Sequence, residues 1–189
     1  MQKLEAGSIG IFGGSFNPPH VGHVLACHYA LLRWNLAKVL VIPSFQHPFG
    51  KELPAYEHRR RMCELAFGHL GDSIEICDIE KDRAGMSYTV DTVRELISMN
   101  SGAHYRLLVG GDILPDVPKW REAEELERLA PKLVIPRLAD GKVLGGGELD
   151  GALPDISSTQ LREAMGRGDY PAALPAAVAD YIRAQRLYR

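Results

Sequence analysis

The sequence predicts an α/β fold. Its centre is a doubly wound, mostly parallel sheet of about five strands, with helices on both faces and a helical C-terminal part. Three observations carry this. Short apolar runs alternate along the chain with longer stretches of helical periodicity. The first run ends in Gly13-Gly14 and the fourth in Gly110-Gly111, where parallel strands of such a sheet meet a ligand at their carboxyl ends. The 189 residues, 46% hydrophobic and 24% charged, suit one domain spanning 1–189 with a full core.

In order, Ile9-Gly10-Ile11-Phe12 reads as a short buried strand. Val21 to Trp34 reads as a helix with Val24, His28, Leu31 and Leu32 on one stripe. Lys38 to Pro43 is a second strand, and Ser44 to Pro54, which contains Pro, Gly and His, a loop. A helix over Arg59–His69, a strand over Ile74–Cys77, a helix over Thr89–Met99 and a strand over Tyr105–Val109 follow. Trp120 to Leu129 is expected as a helix and Lys132 to Pro136 as the fifth strand. Asp140 to Gly151, with five glycines, is expected as a mobile loop. Helices over about Ser158–Met165 and Leu174–Leu187 close the chain.

A net charge of −2 leaves no field to hold the whole molecule on nucleic acid or an anionic membrane. Cys27, Cys63 and Cys77, odd in number and widely spaced, fit neither a disulfide framework nor a Cys-rich zinc site, and no metal ligand set is expected. Met1 to Ser8 lacks the basic and apolar segments of a secretory signal, and the longest apolar run, Val39 to Pro43, is too short to span a bilayer. The expected location is cytoplasmic. The composition leaves an oligomer open.

The strongest signal lies between the first strand and the first helix: Gly13-Gly14-Ser15-Phe16-Asn17-Pro18-Pro19-His20-Val21-Gly22-His23. Glycines admit a close backbone approach, and the helix start offers unpaired amides and a positive dipole end, so the segment suits an anion. His20 and His23, three residues apart, are placed to donate to phosphate oxygens as charge develops. Neither is expected to fill the core. Other nucleotide loops are absent from the sequence: there is no Gly-x-x-x-x-Gly-Lys-Ser/Thr, and the first loop is not Gly-x-Gly-x-x-Gly.

Gly-Gly-Ser-Phe-Asn-Pro-x-His-x-Gly-His resembles the signature of the nucleotidyltransferase superfamily. The resemblance implies a Rossmann-like fold and ATP bound at Gly13, Gly14, Ser15, Phe16, His20 and His23, with the two histidines catalytic. Asn17 stands where the superfamily usually has Asp. Near the other end, Asp155-Ile156-Ser157-Ser158-Thr159-Gln160-Leu161-Arg162 puts hydroxyls at a helix start with Arg162 one turn on. This is similar to the superfamily's second ATP motif, which implies that Ile156, Ser157, Ser158 and Arg162 also hold ATP.

Arg83-Ala84-Gly85-Met86-Ser87-Tyr88-Thr89-Val90-Asp91-Thr92 resembles a stretch of the bacterial nicotinate mononucleotide adenylyltransferases. In that family the backbone near the Thr holds the carboxylate of the nicotinate ring. The resemblance assigns Ser87, Tyr88, Thr89 and Trp120 to the mononucleotide, with Trp120 stacking on its ring, and Gly110 and Asp112 to ATP. Leu174-Pro175 through Arg189 resembles the family's C-terminus, so the likeness runs almost end to end. The weakest match is Phe45 to Lys51, where relatives commonly have Pro-Pro-His-Lys. Arg59-Arg60-Arg61 reads as a solvated helix face.

The activity the resemblance implies is adenylyl transfer from ATP to nicotinate mononucleotide, a step of NAD biosynthesis, with Mg²⁺ carried by ATP. Two alternatives stay open on the residues alone. One is a sister adenylyltransferase acting on nicotinamide mononucleotide or phosphopantetheine. The other is a nucleotide-binding sensor without turnover.

Overall fold

A computed structural model of the chain describes residues 4–46, 53–83, 85–146 and 151–189. Five parallel strands form the central sheet: β1 (Ile9–Gly14), β2 (Lys38–Pro43), β3 (Ile74–Ile76), β4 (Tyr105–Gly110) and β5 (Lys132–Ile135), in the order β3-β2-β1-β4-β5. The chain winds outward from β1 in one direction, then crosses back to place β4 against β1's other edge, at the register Ile9 opposite Tyr105. The crevice between the carboxyl ends of β1 and β4 is where such a sheet binds ligands.

Helices cover both faces. α1 (Val21–Trp34), α2 (Tyr56–Phe67), α6 (Ser158–Gly166) and α7 (Ala176–Gln185) pack one core; α4 (Thr89–Met99) and α5 (Ala123–Leu129) pack the other. Side chains of β2 alternate between the two: Val39 and Val41 enter the first, Leu40 and Ile42 the second. An apolar run buried on both faces is what a parallel central strand requires.

The structure departs from the sequence expectations at short or turn-rich segments. α2 starts at Tyr56 rather than Arg59. A five-residue helix, α3 (Ile79–Arg83), is too short to leave a periodic signal. No helix begins at Trp120: Pro115 and Pro118 tighten Leu114–Lys119 into a 3-10 turn, Glu122 takes a left-handed φ of 51°, and α5 starts at Ala123. Part of the expected glycine loop is ordered. Arg137–Ala139 (β6) and Lys142–Leu144 (β7) form an antiparallel hairpin, turned by Asp140-Gly141 at positive φ. Residues 147–150 of that loop lie outside the described residues, as does Lys51.

The hairpin is seated on the end of β4 by glycine. A Cβ at Gly111 would overlap the carbonyl of Leu144 and come within 2.7 Å of Gly145 N, both backbone. Gly111→Ala is expected to cost about 1–3 kcal/mol as overpacking, lowering Tm by about 2–4 °C per kcal/mol in a chain of this size. Gly68→Ala is the control, since its Cβ meets nothing and its φ of −57° suits Ala. A thermal melt that leaves both variants at the parent Tm would show that the hairpin yields.

Candidate active site

A cleft of about 220 Å³ opens at the crevice between β1 and β4. Its floor is the β1–α1 turn, with Gly13, Gly14, Ser15 and Phe16. Its walls are His23 of α1, Gly110 at the end of β4 with Asp112 beyond it, Arg137 at the start of β6, and Ser158 of α6.

The turn is held from below. Phe16 is 2% exposed, and its ring packs edge-on against Phe12, Phe67 and His23. His20 caps α1 in extended conformation, and its amide donates to His23 Nδ1 at 3.1 Å. That bond leaves Nε2–H as the single donor of a neutral His23. The two imidazoles lie 3.8 Å apart, centroid to centroid. Gly22 makes room for this pair: a Cβ there would sit 3.0 Å from the His20 ring. Burial pushes the His20 pKa down to about 4, with Arg137 adding to the shift. Burial, then His20 and Arg137, holds His23 well below the usual histidine value. Both rings are neutral at neutral pH. His20 is 2% exposed and, contrary to the sequence expectation, fills core space beneath His23.

The second motif closes on the first. Ser158 Oγ donates to Pro18 O at 3.1 Å, and Arg162 Nη1 donates to Asn17 O at 2.8 Å while Nη2 reaches Thr159 Oγ1 at 3.1 Å. Ser157 caps α6 by accepting from Thr159 N. Ile156 supplies its carbonyl to Arg137 Nη2 at 3.0 Å. Arg162 therefore grips the backbone of the first loop, although the sequence reading gives it to the phosphates. Ser158 lines the cleft; His20, Ile156, Ser157 and Arg162 stand behind its lining.

The expected acceptor residues gather around the N-terminus of α4. Tyr88 caps the helix and donates its amide to Met86 O at 3.2 Å, and Thr89 is the first helical residue, so the amides of Thr89 and Val90 precede the first intrahelical acceptor. Ser87 is buried, and its hydroxyl accepts from Phe45 N at 3.1 Å and Gln46 N at 3.2 Å, bracing the segment after β2. Tyr88 and Trp120 both pack on the second core. Arg121 joins them, its guanidinium 4.7 Å over the Tyr88 ring and 3.5 Å from Asp91.

Residues 11–164 match the family model described as cytidylyltransferase-like. A chain from Anaeromyxobacter dehalogenans (strain 2CP-C), named a probable nicotinate-nucleotide adenylyltransferase, is 38% identical over 185 residues, covering 96% of each chain. The chain belongs to the nicotinate-nucleotide adenylyltransferase family. A relative from Streptococcus pneumoniae serotype 4, with the same name, is 35% identical over 193 residues, which is all of this chain and 92% of that one. The solved Plasmodium falciparum nicotinic acid mononucleotide adenylyltransferase complexed with NaAD superposes with a TM-score of 0.78 over 96% of this chain and 97% of that one. At 20% identity that likeness is one of fold.

Within this family frame, three arginines escaped the sequence reading. Arg137 is a guanidinium in the cleft, 21% exposed, 3.6 Å from Asp112 and 3.8 Å from Asp155. Its signal is position: it follows Pro136 at the carboxyl end of β5. Arg121 is the neighbour of Trp120. Arg59 is 1% exposed, which corrects the reading of Arg59-Arg60-Arg61 as a solvated face; Arg60 is half-buried against Asp78, and only Arg61 is exposed. The signal for Arg59 was its place on the apolar stripe of Tyr56, Met62, Cys63 and Ala66.

Proposed function

We propose that the chain transfers the adenylyl group of ATP to nicotinate mononucleotide, giving nicotinate adenine dinucleotide and pyrophosphate. The observation that carries this reading is the joining of two motifs from opposite ends of the sequence at one cleft, through Ser158 to Pro18 and Arg162 to Asn17. The names of the relatives support the same activity.

An oxygen of the mononucleotide phosphate attacks the α-phosphorus of ATP in line. The bond from that phosphorus to the bridging oxygen breaks, and pyrophosphate leaves with the electron pair. The nucleophile is already an anion, so no strong base is needed, and catalysis rests on positioning and on charge stabilisation. His23 and Arg137 line the cleft where that charge develops, beside Gly13, Gly14 and Ser15. His20 orients His23, and Arg162 with Ser158 holds the loop that carries both. Asp112 and Gly110 take the ATP side of the cleft. ATP comes with a divalent cation, as is general in this enzyme class; we take it as Mg²⁺, held by phosphate oxygens and water. The cleft's His, Arg and Ser donors suit the anion rather than the cation. The same domain, 1–189, carries both substrates. Among the described residues no helix is long and apolar enough to cross a membrane, and the use of ATP suits a cytoplasmic enzyme.

Acceptor choice provides the test. Two amides at the start of α4, those of Thr89 and Val90, offered to a ring carboxylate, favour the acid over the isosteric amide by about 1 kcal/mol or more each. The expected result is a kcat/KM about one to two orders of magnitude higher for nicotinate than for nicotinamide mononucleotide. Trp120→Ala is expected to lower both values and leave their ratio unchanged. Pyrophosphate release is followed with both mononucleotides and with phosphopantetheine. A parent that prefers the amide or phosphopantetheine would overturn the acceptor assignment, and absence of turnover on all three would overturn the enzyme reading.

A further inference from the structure

Among the described residues, Arg59 is the largest side chain fully withdrawn from water. Burying a guanidinium carries a desolvation penalty that an apolar side chain of similar volume avoids. No carboxylate among the described residues pairs with it. Its donors are spent on carbonyls: Nε on Pro54 O at 3.1 Å, Nη1 on Ser15 O at 3.0 Å and Nη2 on Phe45 O at 3.5 Å. Tyr56 lies below the guanidinium, 5.5 Å to the ring centroid, and the Phe45 ring packs edge-on against Tyr56.

The carbonyls come from different places in the site. Ser15 belongs to the turn that floors the ATP cleft. Phe45 follows β2, and its own amide, with that of Gln46, is held by Ser87 Oγ, next to Tyr88 in the acceptor segment. Glu80, also buried, adds a second acceptor for Phe45 N at 3.3 Å and binds Thr92 of α4 at 3.0 Å. A continuous chain of hydrogen bonds thus runs from Ser15 through Arg59 and Phe45 to Ser87. A planar fork with donors in fixed directions can set such a spacing; a flexible ammonium cannot do it as well.

We infer that Arg59 is a positioning residue that fixes the ATP turn relative to the acceptor segment, and so aligns the attacking phosphate with the α-phosphorus. This rests on the adenylyl-transfer reading, which gives each loop its substrate. Each loop keeps its own substrate contacts without Arg59; what is lost is their mutual register. Misplacement by about 1 Å is enough to slow an aligned reaction about 100-fold.

The test uses the full chain with Arg59→Lys and Arg59→Met. The folded fraction is taken from circular dichroism and thermal melts, and kcat is expressed per folded molecule. Binding of a non-hydrolysable ATP analogue and of nicotinate mononucleotide is measured separately by calorimetry. The expected result is a kcat lower by about 10- to 100-fold, with each separate affinity within about threefold of the parent, and Arg59→Lys the better of the two. A role in folding alone would reduce the folded fraction and leave kcat per folded molecule near the parent value; that outcome, or affinities that fall as far as kcat, overturns the inference. Should neither variant fold, Glu80→Ala loosens the same chain of bonds at Phe45 N and its tie to Thr92, and is judged by the same split. If the parent turns over a different acceptor, the acceptor assignment fails, and the comparison made on that acceptor still decides the role of Arg59.

Discussion

Replacement of His23 by Ala is expected to lower kcat by about two to three orders of magnitude, the loss seen when one preorganised donor to a developing oxyanion is removed. The ring lines the cleft, and its Nδ1 is occupied by the amide of His20, so its one remaining donor is Nε2–H. Burial and the neighbouring His20 and Arg137 hold the ring neutral, so it acts as an uncharged donor. A donor in this dry setting is worth more than one in water. The ATP KM should move little, because the bond strengthens as charge builds on the phosphorus. The kcat/KM profile of the parent should show no step from these rings near pH 6.5. Stability is affected too. The pKa of His20 is about 4 folded against an ordinary 6.5, so the unfolded chain binds more protons between these values. The stability that neutral His20 contributes is present above about pH 6.5 and is lost as pH falls toward 4. His20→Ala should soften this acid dependence while lowering Tm, since it empties a buried site. Steady-state rates and melts from pH 4.5 to 8 check all of this. A His23→Ala enzyme with near-parental kcat would reduce that histidine to a helix cap.

The parts of the molecule legible in the sequence were those with a local signal. The five strands of the central sheet were readable because short runs of Ile, Val and Leu between helical stretches have few other uses in a chain of this composition. The β1–α1 turn was readable because glycines, prolines and paired histidines stand together. The hairpin Arg137–Leu144 was hidden by its glycines, which suggest freedom when counted; here Gly145 takes φ 88° and packs on Gly111. The helix expected from Trp120 was misplaced, because prolines 115 and 118 shape a turn whose form depends on packing against the second core. The backbone contacts of Arg162 and Arg59 were out of reach for one reason. Each spends its donors on carbonyls distant in sequence, Asn17 for the former and Ser15 for the latter, and no periodicity encodes such a partner.

Arg137→Ala is expected to lower kcat/KM for ATP by about 10- to 150-fold, the equivalent of about 1.5–3 kcal/mol for a lost hydrogen bond to a charged group. The guanidinium is confined between Asp112 and Asp155 at 3.6 and 3.8 Å, distances too long for tight pairing, and it is tied to Ile156 O at 3.0 Å. It is therefore oriented without a close bidentate carboxylate, which leaves it able to donate to a phosphate. Its removal should leave the nicotinate mononucleotide KM near the parent value, because that substrate is assigned to the α4 terminus. The substitution also removes a positive charge that lowers the pKa of both His20 and His23. Their pKa values should rise toward the ordinary value while burial, the larger cause, keeps them below it. The acid limb of kcat/KM should then move to higher pH. Arg137→Lys, which keeps the charge but not the fork, should recover the pH profile and only part of the rate. Equal losses for both substrates together with an unmoved acid limb would make Arg137 a brace for Asp155 and Ile156, and the positive charge in the cleft would have no part in binding ATP.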